Sequence, residues 1–441
     1  MLYDHRPKRF SLLFVIIIVI SLTIAITPTI TSVVALSPSL SSASSPNSLP
    51  QKELYNSKSP FKITDALKSL INGAVDNNRT SGAIVVGLVD PNGTQFYGHG
   101  KVSNVNNATV DQNTIFAIGS NTKVFTTILL ADMVEDGLIK LDDPIEKYLP
   151  HNVTVPQYKG HKITIEDLAT HTSGLPEFPA NYCTSFANAN PHTTSDKIQT
   201  VLNLINCTKN YTFDQFYQAL SNTTISRTPG TKLEYSTFGS ALLGDILMLK
   251  SNASSYEELL KKRILNVLGM DSSSINLSDA QKSRLATGHL YGQELPRLNF
   301  STPIVPGAGL YSSASDMLKF ISANIGLIKT KLDNAMQESH LIRLNSGQTI
   351  PNNKKVSGTD NTTTGFYVGL GWFITTDFGN EIIWHNGISA GGYNAFMAFN
   401  PMTERGIVIL CSSHTSNADI STAGLYKSNN LSSLVWNLLK G

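Results

Sequence analysis

Charge is what this chain has little of. Only 15% of its 441 residues are Asp, Glu, Lys or Arg, and the formal net charge is +2. No Lys/Arg run occurs outside the extreme N-terminus, so there is no electrostatic case for a nucleic-acid partner. There is no P-loop, no Rossmann glycine fingerprint and no H-E-x-x-H, which removes the usual phosphate, dinucleotide and zinc-protease signatures. The three cysteines, Cys183, Cys207 and Cys411, lack metal-ligand spacing. No internal repeat is visible. What remains is 41% hydrophobic, enough for a sizeable core and too apolar for bulk disorder. The length accommodates two or three domains, or one large one with insertions.

The one long apolar run lies at the N-terminus. Arg6, Lys8 and Arg9 precede Phe10 to Ile26, broken only by Ser11, Ser21 and Thr23. A basic flank before an apolar run is an export signal. Residues 1–36 are therefore expected to be a signal peptide, cleaved near Val33-Val34-Ala35, or an uncleaved membrane anchor. In both cases the body lies outside the membrane, secreted or tethered to it. Residues 37–60, rich in Ser, Pro and Asn, read as a flexible linker. N-x-[ST] sequons are dense, at Asn78, Asn92, Asn107, Asn152, Asn206, Asn210, Asn222, Asn252, Asn276, Asn299, Asn361 and Asn430. In a glycosylating organism some become surface carbohydrate sites. In an oxidising compartment Cys183 and Cys207 can close a loop. Cys411, inside the apolar run Gly406 to Cys411, reads as a buried free thiol.

Residues 61–441 carry the folded domain. Gly82 to Val89 and Thr94 to Gly100 form a strand pair around Pro91-Asn92-Gly93. From Ser120 to about Met270 the pattern is mostly helical, with helices at Ile163–Thr170, Phe213–Leu220, Gly239–Leu249 and Tyr256–Leu268. Strands return at Tyr367–Thr375, Ile382–Trp384, Tyr393–Phe399 and Gly406–Cys411, spaced as an antiparallel meander, and Ile420–Leu439 reads as a last helix. Strands at both ends with helices between imply an α+β fold, with one antiparallel sheet built from both chain ends. The sheet region is 61–115 and 300–441, and the helical region is 116–299.

The chemistry concentrates at Thr114 to Leu130, TIFAIGSNTKVFTTILL. A short apolar run ends at Gly119. Then come Ser120 and, one helical turn on, Lys123, ahead of a wholly apolar helix. Three residues apart is one helical face, so the Lys123 amine reaches the Ser120 hydroxyl. A serine nucleophile with a lysine proton acceptor has this spacing. A second S-x-x-K, Ser59 to Lys62, lies in a polar stretch before any core. Three further features follow in order: Glu234-Tyr235-Ser236-Thr237 in a loop before a helix, Pro306 to Met317 (PGAGLYSSASDM), and His385-Asn386-Gly387 at a strand edge.

Together with LDDPIEKYLP from Leu141 and THTSGLP from Thr170, these motifs resemble the serine β-lactamase and penicillin-binding-protein-like hydrolases. They are most similar to the class C-like branch that holds D-aminopeptidases, D,D-carboxypeptidases and esterases. The resemblance covers roughly Phe61 to Leu439 and implies a β-lactamase/transpeptidase-like fold. It implies Ser120 as the acylated nucleophile and Lys123 as its proton acceptor. Tyr235 would pass the proton to the leaving group and help activate the deacylating water. The backbone N–H groups of Ser120 and Ile388 would form the oxyanion hole. His385, Asn386, Gly387, Ile388 and Thr237 would line the substrate site, His171 would serve packing, and no metal or other cofactor is required. Two positions depart from the antibiotic-hydrolysing pattern. His385 replaces a Lys that anchors a substrate carboxylate, and is expected to be a weaker, pH-dependent anchor. Thr237 replaces an Asn that binds the substrate acylamide. The expected activity is hydrolysis of a small amide or ester by an exported enzyme, esterase or D-peptidase rather than antibiotic-degrading β-lactamase. The alternative is a surface sensor that acylates without turnover.

Overall fold

A computed structural model of the chain describes residues 61–76, 82–184, 193–349, 365–377, 380–414 and 438–440. The anchor or signal at 1–36, the linker at 37–60, Ser59, the sequons at Asn78, Asn361 and Asn430, and nearly all of the helix expected at 420–439 lie outside the described residues. Among the described residues no helix is long and apolar enough to cross a membrane.

Strands β1 (Ile84–Asp90) and β2 (Gly93–His99) form the N-terminal hairpin. β3 (Ile115–Ala117) pairs with β4 (Tyr311–Ser313). β5 (Leu344–Thr349), β6 (Gly365–Val368), β7 (Phe373–Asp377), β8 (Asn380–Ser389), β9 (Tyr393–Asn400) and β10 (Arg405–Cys411) follow. Eight strands make one sheet in the order β2-β1-β10-β9-β8-β7-β6-β5, antiparallel throughout. The chain ends meet in its middle, where Ile84 faces Cys411 and Val89 faces Gly406. The fold is therefore the β-lactamase/transpeptidase-like α+β architecture.

Among the helices are α1 (Asp65–Asp76), α2 (Thr122–Glu135), α3 (Ile165–Ala169), α4 (Thr194–Cys207), α5 (Phe213–Asn222), α6 (Thr237–Ser251), α7 (Tyr256–Leu260), α8 (Val305–Ala308), α9 (Ala314–Ile325) and α10 (Asp333–His340). Alternation along the strands explains how both faces of the sheet are buried. Val85, Val89, Met397, Phe399, Val408 and Leu410 pack beneath α2, α6, α9 and α10. Val86, Leu88, Phe396, Ile407 and Ile409 face the other way, under Leu67 and Ile71 of α1 and Leu438 and Leu439.

Three expectations are corrected. Tyr367 to Thr375 is not one strand but the hairpin β6–β7. Gly369 N–H closes the turn on Trp372 O at 2.9 Å, and Gly371, at φ +72°, gives a bend a strand cannot hold. The helix expected at Tyr256–Leu268 is α-helical only to Leu260 and continues as a single π-helical segment, Lys261–Leu265. Three helices, α8, α9 and α10, lie inside the stretch read as sheet. Cys183 and Cys207 are disulfide-bonded, tying the C-terminus of α4 to the loop before it. Cys411 is a buried free thiol, and burial pushes it up to about 11. The nine sequon asparagines among the described residues are all exposed, as surface asparagines ordinarily are.

Candidate active site

β3, buried along its length, delivers the chain to Gly119 at φ +52°. A single tight turn, Gly119–Asn121, then leads into α2. Ser120 sits on this turn, half-buried. It is not the helix cap. That position is Asn121, whose side chain makes no capping bond.

Lys123 is fully buried. Its Nζ donates to Ser120 Oγ at 2.9 Å and to the Gly307 carbonyl at 2.7 Å, and lies 4.8 Å from the centre of the Tyr235 ring. Burial disfavours the ammonium and lowers its pKa from the ordinary 10.5 to about 7, with the nearby Glu177 carboxylate pulling the other way. A lysine poised there can accept a proton at neutral pH. Gly307 belongs to the PGAG motif, and the adjoining Pro306 carbonyl accepts the Thr126 hydroxyl at 2.7 Å. Two side chains of α2 thus hold α8 in place.

Tyr235 lies in the loop before α6, beside Ser120 and against the Lys123 amine. Burial raises its pKa above the usual value, and the Glu177 charge adds to this, so it stays a neutral donor. His171 brackets the tyrosine. Its carbonyl accepts Glu234 N–H at 2.7 Å and its Nδ1 accepts Ser236 N–H at 3.2 Å. Its ring lies 4.5 Å from that of Tyr235. His171 adopts φ +58°, a strained conformation for a side chain of this size. Ser236 caps α6 by accepting Gly239 N–H at 2.8 Å and donates to the Pro176 carbonyl at 2.7 Å.

The opposite wall is β8. Its pairing with β7 runs from Asn380 to Trp384 and stops, while its pairing with β9 continues to Ser389. From His385 onward one edge of β8 is left for the Ser120 turn. The two approach so closely that a Cβ on Gly387 would lie 2.0 Å from Ile118 O and 3.0 Å from Ser120 N. One on Gly119 would lie 2.6 Å from Ile388 O. Gly387 and Gly119 are therefore steric necessities, and they bring the backbone of Ser120 and Ile388 together.

His385 departs from its expected behaviour. It is fully buried and stacks on Phe373 at 5.1 Å and 20°. Its Nδ1 donates to the Asn386 carbonyl at 2.7 Å, which leaves Nε2 as an acceptor with no partner among the described residues. Burial first, then the Lys123 charge, push its pKa down to about 3. Burial within the strand and against Phe373 thus favours the neutral imidazole over the pH-dependent cationic anchor expected from sequence. Asn386 and Ile388 alternate with it and are half-exposed. Thr237 is 3% exposed. Its methyl packs against Gly307, so it meets the site through the carbonyl that receives Lys123.

Two site groups were given no role from sequence. The Gly307 carbonyl lies in a motif already singled out. Glu177 directly follows Leu175-Pro176 of the His171 motif and is half-buried. Burial raises its pKa to about 7.

Comparison with known proteins places the chain as a whole. At 27% identity over 336 residues, 75% of this chain and 80% of the relative, it is similar to the D-alanyl-D-alanine-carboxypeptidase/endopeptidase AmpH of Escherichia coli. At 24% over 394 residues, 81% and 91% of the two chains, it is similar to a beta-lactamase of Escherichia coli. Among solved structures, the octameric penicillin-binding protein homologue from Pyrococcus abyssi superposes with a TM-score of 0.62 at 23% identity, covering 80% of this chain and 74% of that one. The model of the family described as Beta-lactamase matches residues 67–427, and the chain belongs to that family.

Proposed function

We propose that the protein is a serine hydrolase that cleaves a small amide or ester through an acyl-enzyme on Ser120. The observation that carries this is the buried Lys123 amine, shared between Ser120 Oγ and the Gly307 carbonyl. In its neutral form it takes the hydroxyl proton as Ser120 attacks the carbonyl. The oxyanion develops against the N–H groups of Ser120 and Ile388. Tyr235 donates its proton to the departing amine or alcohol and is reprotonated from the Lys123 ammonium. Water then enters, the same groups run in reverse, and the acid leaves. Each step returns its proton, so the cycle needs only side chains and backbone.

A neutral His385 offers no fixed charge to a substrate carboxylate beside the scissile bond. That supports a D-peptide amide or simple ester over a β-lactam. The Cys183–Cys207 bond and the basic-flanked apolar N-terminus support an oxidising, extracytoplasmic setting. Labelling with a fluorophosphonate tests the assignment. The wild type is modified at Ser120 and Ser120→Ala is not. Modification persisting elsewhere after that substitution refutes it, and an acyl-protein that forms and never turns over establishes the sensor instead.

A further inference from the structure

The Cys183–Cys207 bond has no task in the steps above. The ordinary role of such a bond is to staple an exported chain by constraining its unfolded state. Its two ends, however, lie next to the two walls of the site. Six residues before Cys183, the Glu177 carbonyl accepts Phe238 N–H at 2.9 Å, and the Pro176 carbonyl accepts the Ser236 hydroxyl at 2.7 Å. These bonds fasten the segment that ends at Cys183 to the residues just after Tyr235. Cys207 ends α4, and the last turn of that helix is tied to the other wall. The Thr208 carbonyl accepts Ser301 N–H at 3.0 Å, and its hydroxyl donates to the Asn299 carbonyl at 3.3 Å. Ile205 is buried in a small apolar cluster with Leu290, Leu295 and Leu298, and Ala390 packs against that cluster. A Cβ on Gly391 would lie 3.3 Å from that of Leu298. Ala390 and Gly391 belong to the turn after Ser389, where the free edge of β8 ends. α4 buries only Thr200, Leu204 and Ile205, a thin hold for a helix of its length. Asn181, close to Cys183, bonds instead to α5, its Nδ2 donating to the Gln215 carbonyl at 2.8 Å. The disulfide is the covalent link between the two walls.

We propose that Cys183 and Cys207 are a positioning pair: through the last turn of α4, their bond fixes the spacing between the Tyr235 segment and the end of the β8 edge, and so sets how tightly the acyl part of a substrate is held. Neither sulfur touches substrate. Opening the bond lets the two walls part, while Ser120 and Lys123 keep their contact with each other and with Gly307. The effect therefore falls on KM rather than on kcat, and on long acyl groups rather than short ones. This inference rests on the acyl-enzyme reading above.

The test compares p-nitrophenyl octanoate with p-nitrophenyl acetate, before and after dithiothreitol, which reduces the bond to two thiols and is itself oxidised to a cyclic disulfide. Reduction should raise KM for the octanoate by about tenfold. It should leave the acetate, and kcat for both, within about twofold. Cys183→Ser combined with Cys207→Ser should show the same pattern and ignore dithiothreitol. Ile205→Ala keeps the bond but loosens the other attachment of α4, and should raise the octanoate KM in the same direction. An octanoate KM that reduction does not move, or an equal loss on both esters, overturns the proposal. Hydrogen exchange decides the point without turnover. With the bond open, exchange should quicken at Phe238 N–H and across residues 389–392, while β1 stays protected. Quickening confined to α4 would show a staple and overturn the proposal. A wild type that fluorophosphonate does not label sinks the acyl-enzyme reading alone, and the exchange result then judges the cysteine pair.

Discussion

Helices α2 and α4 are both 14 residues long and are stabilised in opposite ways. α2, which carries Lys123, buries every residue from Thr122 to Met133 and has no side-chain cap and no acidic residue in its first turn. α4 buries Thr200, Leu204 and Ile205 on one side. It closes its N-terminus with a full capping box between Thr193 and Asp196 and ends at the Cys207 disulfide. One helix is held by packing and leaves its N-terminal turn to the site. The other is held locally and leaves its outer face to solvent. Where chemistry occurs, local helix stabilisers are given up, and tertiary burial makes up for them.

That contrast gives a graded series of substitutions. The largest effect is expected in α2. Lys123→Met should lower kcat/KM by about a thousandfold or more, because the proton acceptor is gone. It should also stabilise the fold. Lowering the lysine from 10.5 to about 7 amounts to about 5 kcal/mol of disfavoured charge. The lost hydrogen bonds offset part of this, leaving a gain of about 1–3 kcal/mol. The sign follows from linkage. Below pH 7 the lysine is protonated in both states, and the folded state bears the full penalty. Between 7 and 10.5 the unfolded chain binds more protons, so the penalty fades as pH rises. Urea unfolding should therefore show a larger gain at pH 6 than at pH 10. A variant that loses stability would show that Lys123 serves packing. In the wild type, the same titration predicts that acylation falls away below about pH 7.

Gly387→Ala should come next, lowering kcat by about a hundredfold, because its Cβ would drive the strand edge off the Ser120 turn. Unchanged turnover would show that Ile388 does not serve the oxyanion. His171→Ala should lower kcat by about tenfold with little change in KM, since it removes an acceptor that fixes Tyr235 without touching substrate. His171→Asn, which tolerates positive φ and keeps an acceptor for Ser236 N–H, should recover most of the loss. Smallest of all, Thr193→Ala should cost about 1 kcal/mol and leave turnover alone. A loss of activity there would mean that α4 and α2 are coupled after all.

The residues proposed to act on the scissile bond were legible before the structure, because S-x-x-K, the loop tyrosine and the His-Asn-Gly edge are short and local. What was hidden depended on burial and on distant backbone. Nothing in W-H-N-G says that Phe373 will cover His385, or that the imidazole will be neutral. Nothing in PGAG says that Gly307 turns its carbonyl toward Lys123 of α2. Nothing in Leu175-Pro176-Glu177 says that Pro176 and Glu177 will be fastened to Ser236 and Phe238 beside Tyr235. The Tyr367–Thr375 run concealed a hairpin because aromatic and aliphatic residues continue through its Gly-Leu-Gly turn.

The pairing of β1 with β10 also governs when the proposed site can assemble. Ser120 and Lys123 are made early, whereas His385 to Ile388 and the strands behind them are made near the end. During synthesis the nucleophile has no strand edge to face, and the central sheet cannot close until Cys411 meets Ile84. Such long-range closure is slow and exposes apolar strands while it is pending. A chain that stops short of Arg405 is therefore expected to be inert as well as unfolded, since the contacts that complete its core also complete the proposed site.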